Sequence, residues 1–226
     1  MRHPLKRSAI LAAALFATLL TATPSQAAAG QLAAAATPPL LWDAVADLPV
    51  RTENRQGYQR TSFRHWIDAD RDGCNTRAEV LLDEAIEPPQ VSARCTLTGG
   101  LWYSYYDDVT VDQASALDVD HLVPLAEAWD SGAYDWTAQQ RQDYANDLSA
   151  PYHLVAVTAR SNRSKADQDP ADWLPPYESA RCRYIKEWTA VKVSWGLTVD
   201  TREKEALSDI AQGCPNEPLP LPDEAR

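Results

Sequence analysis

Four cysteines behind an export signal constrain this chain most. Arg2, Lys6 and Arg7 precede an uncharged apolar run, and Thr23-Pro24-Ser25-Gln26-Ala27 follows with small residues suited to signal cleavage. The expected layout is therefore a secretory signal at 1–27, a disordered leader at 28–39, one domain at 40–214 and a flexible tail at 215–226. The apolar run is too short for a comfortable membrane span, so the processed chain should be secreted and free of the membrane. Cys74, Cys95, Cys182 and Cys214 all lie beyond the signal. An even count in an exported chain predicts two disulfides. Three pairings are possible. Cys74–Cys95 and Cys182–Cys214 are favoured because each closes a local loop, contributing about 2–4 kcal/mol apiece. No Cys-x-x-Cys spacing supports a metal cluster instead.

Local pattern gives an α+β fold. Helices are expected over 40–48, 60–67, 77–86, 137–144, from 159, over 182–193 and over 201–210, with Thr137 as an N-cap. Residues 91–106 suggest a hairpin turning at Gly99-Gly100. Residues 116–121 and 154–157 read as strands, the second buried. The first strand ends in Asp120-His121 and Pro124 then breaks it. The helix after the second strand carries Asn162-Arg163-Ser164-Lys165.

Those two ends carry chemistry. Successive strand residues face opposite sides, so Asp120 can offer a hard oxygen to Mg²⁺ or Mn²⁺ while His121 faces a water. An imidazole titrates near neutrality and can take a proton from that water. Asn162 supplies a second oxygen ligand. Lys165, at i+3, and Arg163 supply positive charge for a phosphate.

Asp-His-x-x-Pro, an apolar strand, then Asn-x-x-Lys resembles the HNH pattern of ββα-metal nucleases. The chain is more closely similar to the secreted bacterial HNH endonucleases related to the GmrSD C-terminal domain. The resembling residues are Asp118-Val119-Asp120-His121-Leu122-Val123-Pro124, Tyr144-Ala145-Asn146-Asp147-Leu148, Asn162-Arg163-Ser164-Lys165 through Pro176, Asp72-Gly73-Cys74-Asn75-Thr76-Arg77, and Cys182-Arg183-Tyr184. The resemblance implies a ββα core near 116–170 embedded in extra helices. It also implies a metal-dependent endonuclease with water as nucleophile. Apart from the resemblance, the expected substrate is DNA more than RNA, low sequence specificity is expected because no recognition module is seen, and a monomer is expected. Asp120 and Asn162 become the metal ligands, Mg²⁺ first and Mn²⁺ second, and His121 the general base. The family's middle Asn, which braces the base, has no direct counterpart. His153 stands at that position, nine residues before Asn162, and Asn146 is the other candidate.

Charge argues against a nucleic-acid partner. The chain carries a formal charge of −11, and loss of the signal's cations leaves it more acidic still. A nucleic-acid binder ordinarily shows a basic footprint. Here Arg160, Arg163, Lys165, Arg181, Arg183, Lys186 and Lys192 crowd the segment after the second strand.

A second constellation competes. Asp68, Asp70 and Asp72, then Gly73 and Glu79, fit the calcium-loop pattern Asp-x-Asp-x-Asp-Gly-x5-Glu. Asn75 departs from it, standing where an apolar residue is usual. The ion expected there is a structural Ca²⁺. The alternative overall reading is a non-catalytic exported calcium-binding or surface protein on a degenerate HNH scaffold.

Overall fold

The computed structural model describes residues 37–222. The signal and most of the leader, as well as the last four residues, lie outside them. The elements run α1 (Leu41–Asp47), α2 (Thr76–Asp83), β1 (Gln90–Val91), β2 (Leu97–Thr98), β3 (Trp102–Ser104), β4 (Val109–Val111), β5 (Leu117–His121), α3 (Leu125–Asp130), α4 (Ala138–Ala145), β6 (Leu154–Thr158), α5 (Ala159–Lys165), α6 (Arg181–Ser194) and α7 (Thr201–Gln212). The fold is α+β, with three two-stranded antiparallel ribbons and two disulfides.

The β5–β6 ribbon organises the molecule. Its register sets Asp118 opposite Val157, Asp120 opposite Val155 and His121 opposite Leu154. Residues directly opposite share a face. One face therefore carries Asp118, Asp120, Val155 and Val157, and the other Val119, His121, Leu154 and Ala156. Leu117, Val119, Leu154 and Ala156 pack with Val80, Leu81 and Trp102 in a small core beneath α2. Val155 and Val157 join the larger core with Tyr144, Tyr184, Ile185 and Trp188. A ribbon covered on both faces can bury every residue of β6, as it does. The outward N–H groups of β6 are met by side chains: Ala156 donates to Glu84 and Thr158 to Ser104, both at 3.0 Å.

The helices follow their caps. Asn75 caps α2 by accepting from the Ala78 N–H, so this helix starts one residue earlier than its pattern suggests. Thr137 and Gln140 close a capping box on α4. Asp200 caps α7. Both disulfides are the favoured ones. Cys74–Cys95 ties the loop before α2 to the β1–β2 turn, and Cys182–Cys214 ties the start of α6 to the end of α7.

Three local expectations differ from the structure. Residues 60–67 form only a 3₁₀ turn at Arg60–Ser62 and then run extended, because Phe63 is pulled into the core and Trp66 adopts φ 58°. Gly99 and Gly100 do not turn a single hairpin; they join two separate ribbons. A Cβ on Gly100 would lie 2.5 Å from Trp102 Cη2, so only glycine fits beside that ring. Helix α3 was not foreseen, since six residues after a proline give little periodicity. Residues 215–222, read from sequence as tail, lie along α1: Leu41 N–H donates to Glu217 O, Leu219 N–H donates to Pro39 O, and Leu219 is buried.

Candidate active site

Strand β5 delivers Asp120 and His121 to the same end of the ribbon, and α5 returns Asn162 beside them. Asp120, His121, Asn162 and Arg163 line one cleft of about 320 Å³, together with Arg60 and Asp167. A larger cleft of about 1100 Å³, around Val80, Glu84, Leu148 and Pro151, has no histidine or basic side chain in its lining. The smaller cleft is therefore the one that gathers the residues expected from sequence to carry chemistry.

His121 is almost fully buried, with Nε2 3.0 Å from the Ala145 carbonyl oxygen. A carbonyl only accepts, so Nε2 carries the hydrogen. The neutral ring then keeps its lone pair on Nδ1, the form a base needs. Burial holds this imidazole well below its ordinary pKa, against the opposing pull of the Ala145 bond. Its ring lies between Trp66, at 5.3 Å and 32°, and Tyr144, at 6.5 Å and 14°.

Among the described residues, neither of the two brace candidates, His153 and Asn146, bonds the His121 ring with its side chain. Three consecutive residues at the end of α4 share the work. The Tyr144 carbonyl accepts from His153 Nε2 at 2.7 Å, and the Ala145 carbonyl accepts from His121. The Asn146 side chain donates to Arg64 O and accepts from Ile67 N–H and the Thr76 hydroxyl. His153 thus fixes the turn that presents Ala145. Asn146 clamps the segment that carries Trp66. Burial also lowers the His153 pKa.

Lys165 does not face the cleft as its i+3 spacing suggested. It is fully buried, and its Nζ donates to Asp120 Oδ1 at 3.0 Å and to His121 O at 3.1 Å, with Asp120 Oδ2 at 2.8 Å. Tyr106 donates to the same Oδ2 at 2.7 Å. The reason is the short α5, which sits directly on the ribbon and aims its last turn inward. Desolvation raises the Asp120 pKa and lowers that of Lys165, despite their mutual attraction. Asn162 donates its amide to Asp118 Oδ2 at 3.1 Å, leaving its carbonyl oxygen for another partner. Arg163 is exposed and lies 3.4 Å from Asp118. A hard carboxylate and an amide oxygen on one cleft are a donor set that fits Mg²⁺ or Mn²⁺.

The basic stretch foreseen after β6 does not form one patch. Lys165 and Lys192 are buried, Arg181 and Lys186 pair with Glu178 and Glu217, and Arg183 pairs with Glu187 while covering Tyr105. Lys192 instead anchors a second buried network, bonded to Glu127, Glu203, Ser131 and the Thr198 carbonyl. Glu53, Glu127 and Asp169 gather at its edge.

The acidic loop is compact. Carboxylate oxygens of Asp68, Asp70 and Asp72 lie within 4.8 Å of one another at the surface. Gly73 takes φ 98° at the turn, and Asp68 and Asp72 accept from the Gly73 and Cys74 N–H groups. Desolvation and then these three aspartates raise the pKa of Glu79, which places it in their field.

Sequence reading missed Arg60 and Trp66 at this site. Neither has a motif. The usable signal was the aromatic spacing of Tyr58, Phe63 and Trp66, which reads equally well as core.

This chain belongs to the family of GmrSD restriction endonucleases, C-terminal domain, which matches residues 75–210. A protein of Arthroderma benhamiae described as an uncharacterized secreted protein is 44% identical over 171 residues, covering 75% of this chain and 82% of that protein. That relative is fungal, so the likeness extends beyond the bacterial proteins named by the sequence resemblance. No solved structure matches. The disulfides fit an extracellular protein, and among the described residues no helix is long and apolar enough to cross a membrane.

Proposed function

We propose that the chain is a secreted HNH endonuclease, cutting phosphodiester bonds in DNA in preference to RNA, with low sequence specificity and as a monomer. The observation that carries this reading is His121. Its Nε2–H is committed to a backbone carbonyl in the same cleft that Asp120 and Asn162 line. Membership of a restriction-endonuclease family supports it.

In this reading His121 takes a proton from the attacking water at Nδ1. The rings of Trp66 and Tyr144 and the Ala145 carbonyl keep the imidazole from rotating. Asp120 and Asn162 would hold the divalent metal, Mg²⁺ or Mn²⁺, which when bound stabilises charge on the phosphate and the leaving oxygen. Lys165 acts from behind, holding the Asp120 carboxylate and the His121 backbone in place. Arg163, at the rim, adds positive field while restrained by Asp118.

Plasmid nicking tests the proposal. Cleavage with Mg²⁺ or Mn²⁺, abolished by EDTA and by His121→Ala, is the expected result. No cleavage in Mg²⁺, Mn²⁺ or Ca²⁺ would overturn it. The second reading, an exported calcium-binding protein on this scaffold, draws on the clustered Asp68, Asp70 and Asp72 with Glu79 in their field. The loop is compatible with either reading, since a structural Ca²⁺ there could serve an active enzyme. Only failed cleavage together with Ca²⁺ binding favours the second.

A further inference from the structure

A cleft that handles a phosphodiester needs a cation able to meet the phosphate oxygens. The two that the sequence offered are engaged elsewhere. Lys165 is fully buried on Asp120 and the His121 carbonyl, and the Arg163 guanidinium leans on Asp118. Arg60 lines the same cleft from the opposite direction in sequence, ahead of the stretch that matches the family. It is exposed, and among the described residues it forms no ion pair with a carboxylate within 4.0 Å. Its neighbour is the Tyr58 phenol. The cleft's other acid, Asp167, lies 3.8 Å from Arg55.

The backbone that carries Arg60 is held rigidly, although it is neither strand nor long helix. Phe63, fully buried, packs against Tyr58, Trp129 and Tyr144 with ring centroids 6.1–6.5 Å apart. Asn146 grips Arg64 O and Ile67 N–H on either side of Trp66. Trp66 sits in the left-handed region at φ 58°, a conformation that persists only where surroundings impose it. The Arg60 carbonyl itself accepts from the Phe63 N–H, and Tyr58 on the other side of Arg60 packs on the same Phe63 ring, so the backbone presents the guanidinium from a held position.

We propose that Arg60 is the phosphate-binding residue of this cleft, meeting the substrate phosphodiester through its guanidinium. This rests on the nuclease reading and adds a substrate contact to it. A planar guanidinium can bind two phosphate oxygens at once, which an ammonium cannot.

The test separates the two. Binding of a short fluorescein-labelled DNA duplex is measured in EDTA across a salt series, and plasmid nicking is measured with Mg²⁺. Arg60→Ala should weaken duplex binding about tenfold and reduce the salt slope by about one. Its nicking rate should fall about 100-fold. Arg60→Lys should keep the salt slope but recover only part of the rate. Arg94→Ala, an exposed arginine of the β1–β2 turn, should change neither. Circular dichroism melts of each variant check folding, and Arg60→Gln replaces Arg60→Ala should the latter unfold. Wild-type slope and rate in Arg60→Ala would overturn the assignment. A wild type that binds without cutting defeats the nuclease reading, while the slope comparison still decides Arg60. A wild type that neither binds nor cuts defeats both.

Discussion

Among the described residues two lysines are fully buried, and their surroundings differ. Lys192 meets two carboxylates, Glu127 at 2.6 Å and Glu203 at 3.0 Å, with a hydroxyl and a carbonyl besides. The two carboxylates outweigh desolvation and raise its pKa. Glu127 is held below its ordinary range by that ammonium, while burial pushes Glu203 up to about 8. Both Glu203 oxygens accept, Oε1 from the Trp188 Nε1–H and Oε2 from Lys192, which closes the network. Lys165 meets a single carboxylate, and desolvation wins for both partners. The network in the helical core is compensated from within; the one beneath the cleft is not. A buried ion pair is weak evidence of stability, but removing one partner is costly. That contrast supports a structural role for Lys192 and, on the proposed nuclease reading, a positioning role at the site for Lys165.

Removing Lys192 should have the largest effect on stability. Lys192→Met strands Glu127 and Glu203 and should cost about 3–5 kcal/mol in urea unfolding. Adding Glu127→Leu and Glu203→Leu should restore much of that loss, and failure to do so would break the comparison. Loss of the Cys182–Cys214 bridge, by paired serine substitution, should cost about 2–4 kcal/mol. The effect should slightly exceed that of losing Cys74–Cys95, because the enclosed separation is 32 residues rather than 21. Lys165→Met should cost about 2 kcal/mol, less than Lys192→Met, because Tyr106 still donates to Asp120 and that carboxyl can take a proton. Nicking should nevertheless fall about 10–100-fold, as when a group that orients a metal ligand is lost. Equal stability losses for the two lysines would erase the distinction.

Smaller effects follow from titration and calcium. Burial raises Glu84 to about 8, and Glu53 and Glu203 are raised to about 7 and about 8. In each case the native state holds a proton that the unfolded chain releases near 4.5. Their contribution is therefore fully present below about pH 4.5 and lost as pH rises through 7 to 8. Thermal melts should show a falling midpoint over that window, with a shallower fall in Glu84→Gln. The smallest shift expected is a few degrees of thermal stabilisation by Ca²⁺. It should be absent in Asp70→Ala and Glu79→Ala, with calorimetry as the direct measure; unchanged Ca²⁺ binding in both variants would reject the loop.

Much of the site was legible locally. Strand β5, buried β6 and the helix carrying Asn162 follow from pattern. The capping box at Thr137 is a local signature too. What failed were readings that assumed local spacing decides orientation. Lys165 at i+3 from Asn162 was expected beside it, yet seven residues of helix laid flat on a ribbon turn one side inward. Residues 60–67 have helical spacing, yet Phe63 and Asn146 impose an extended path. Neither outcome is encoded within its own segment.

The sequence by itself determined the disulfide-bearing α+β character, the strand that ends in Asp120-His121, and the helix that returns Asn162. These rest on short-range periodicity, capping and loop closure, which each segment carries internally. Only the tertiary structure decided which cation is buried and which lines the cleft, and which carbonyl holds the base. Those depend on desolvation and on segments some 45 to 61 residues apart being brought together, as Asp120 is with Lys165 and as Arg60 and His121 are in one cleft. Burial is a property of the assembled core, so a lysine in the sequence remains only a potential charge until packing sets its surroundings.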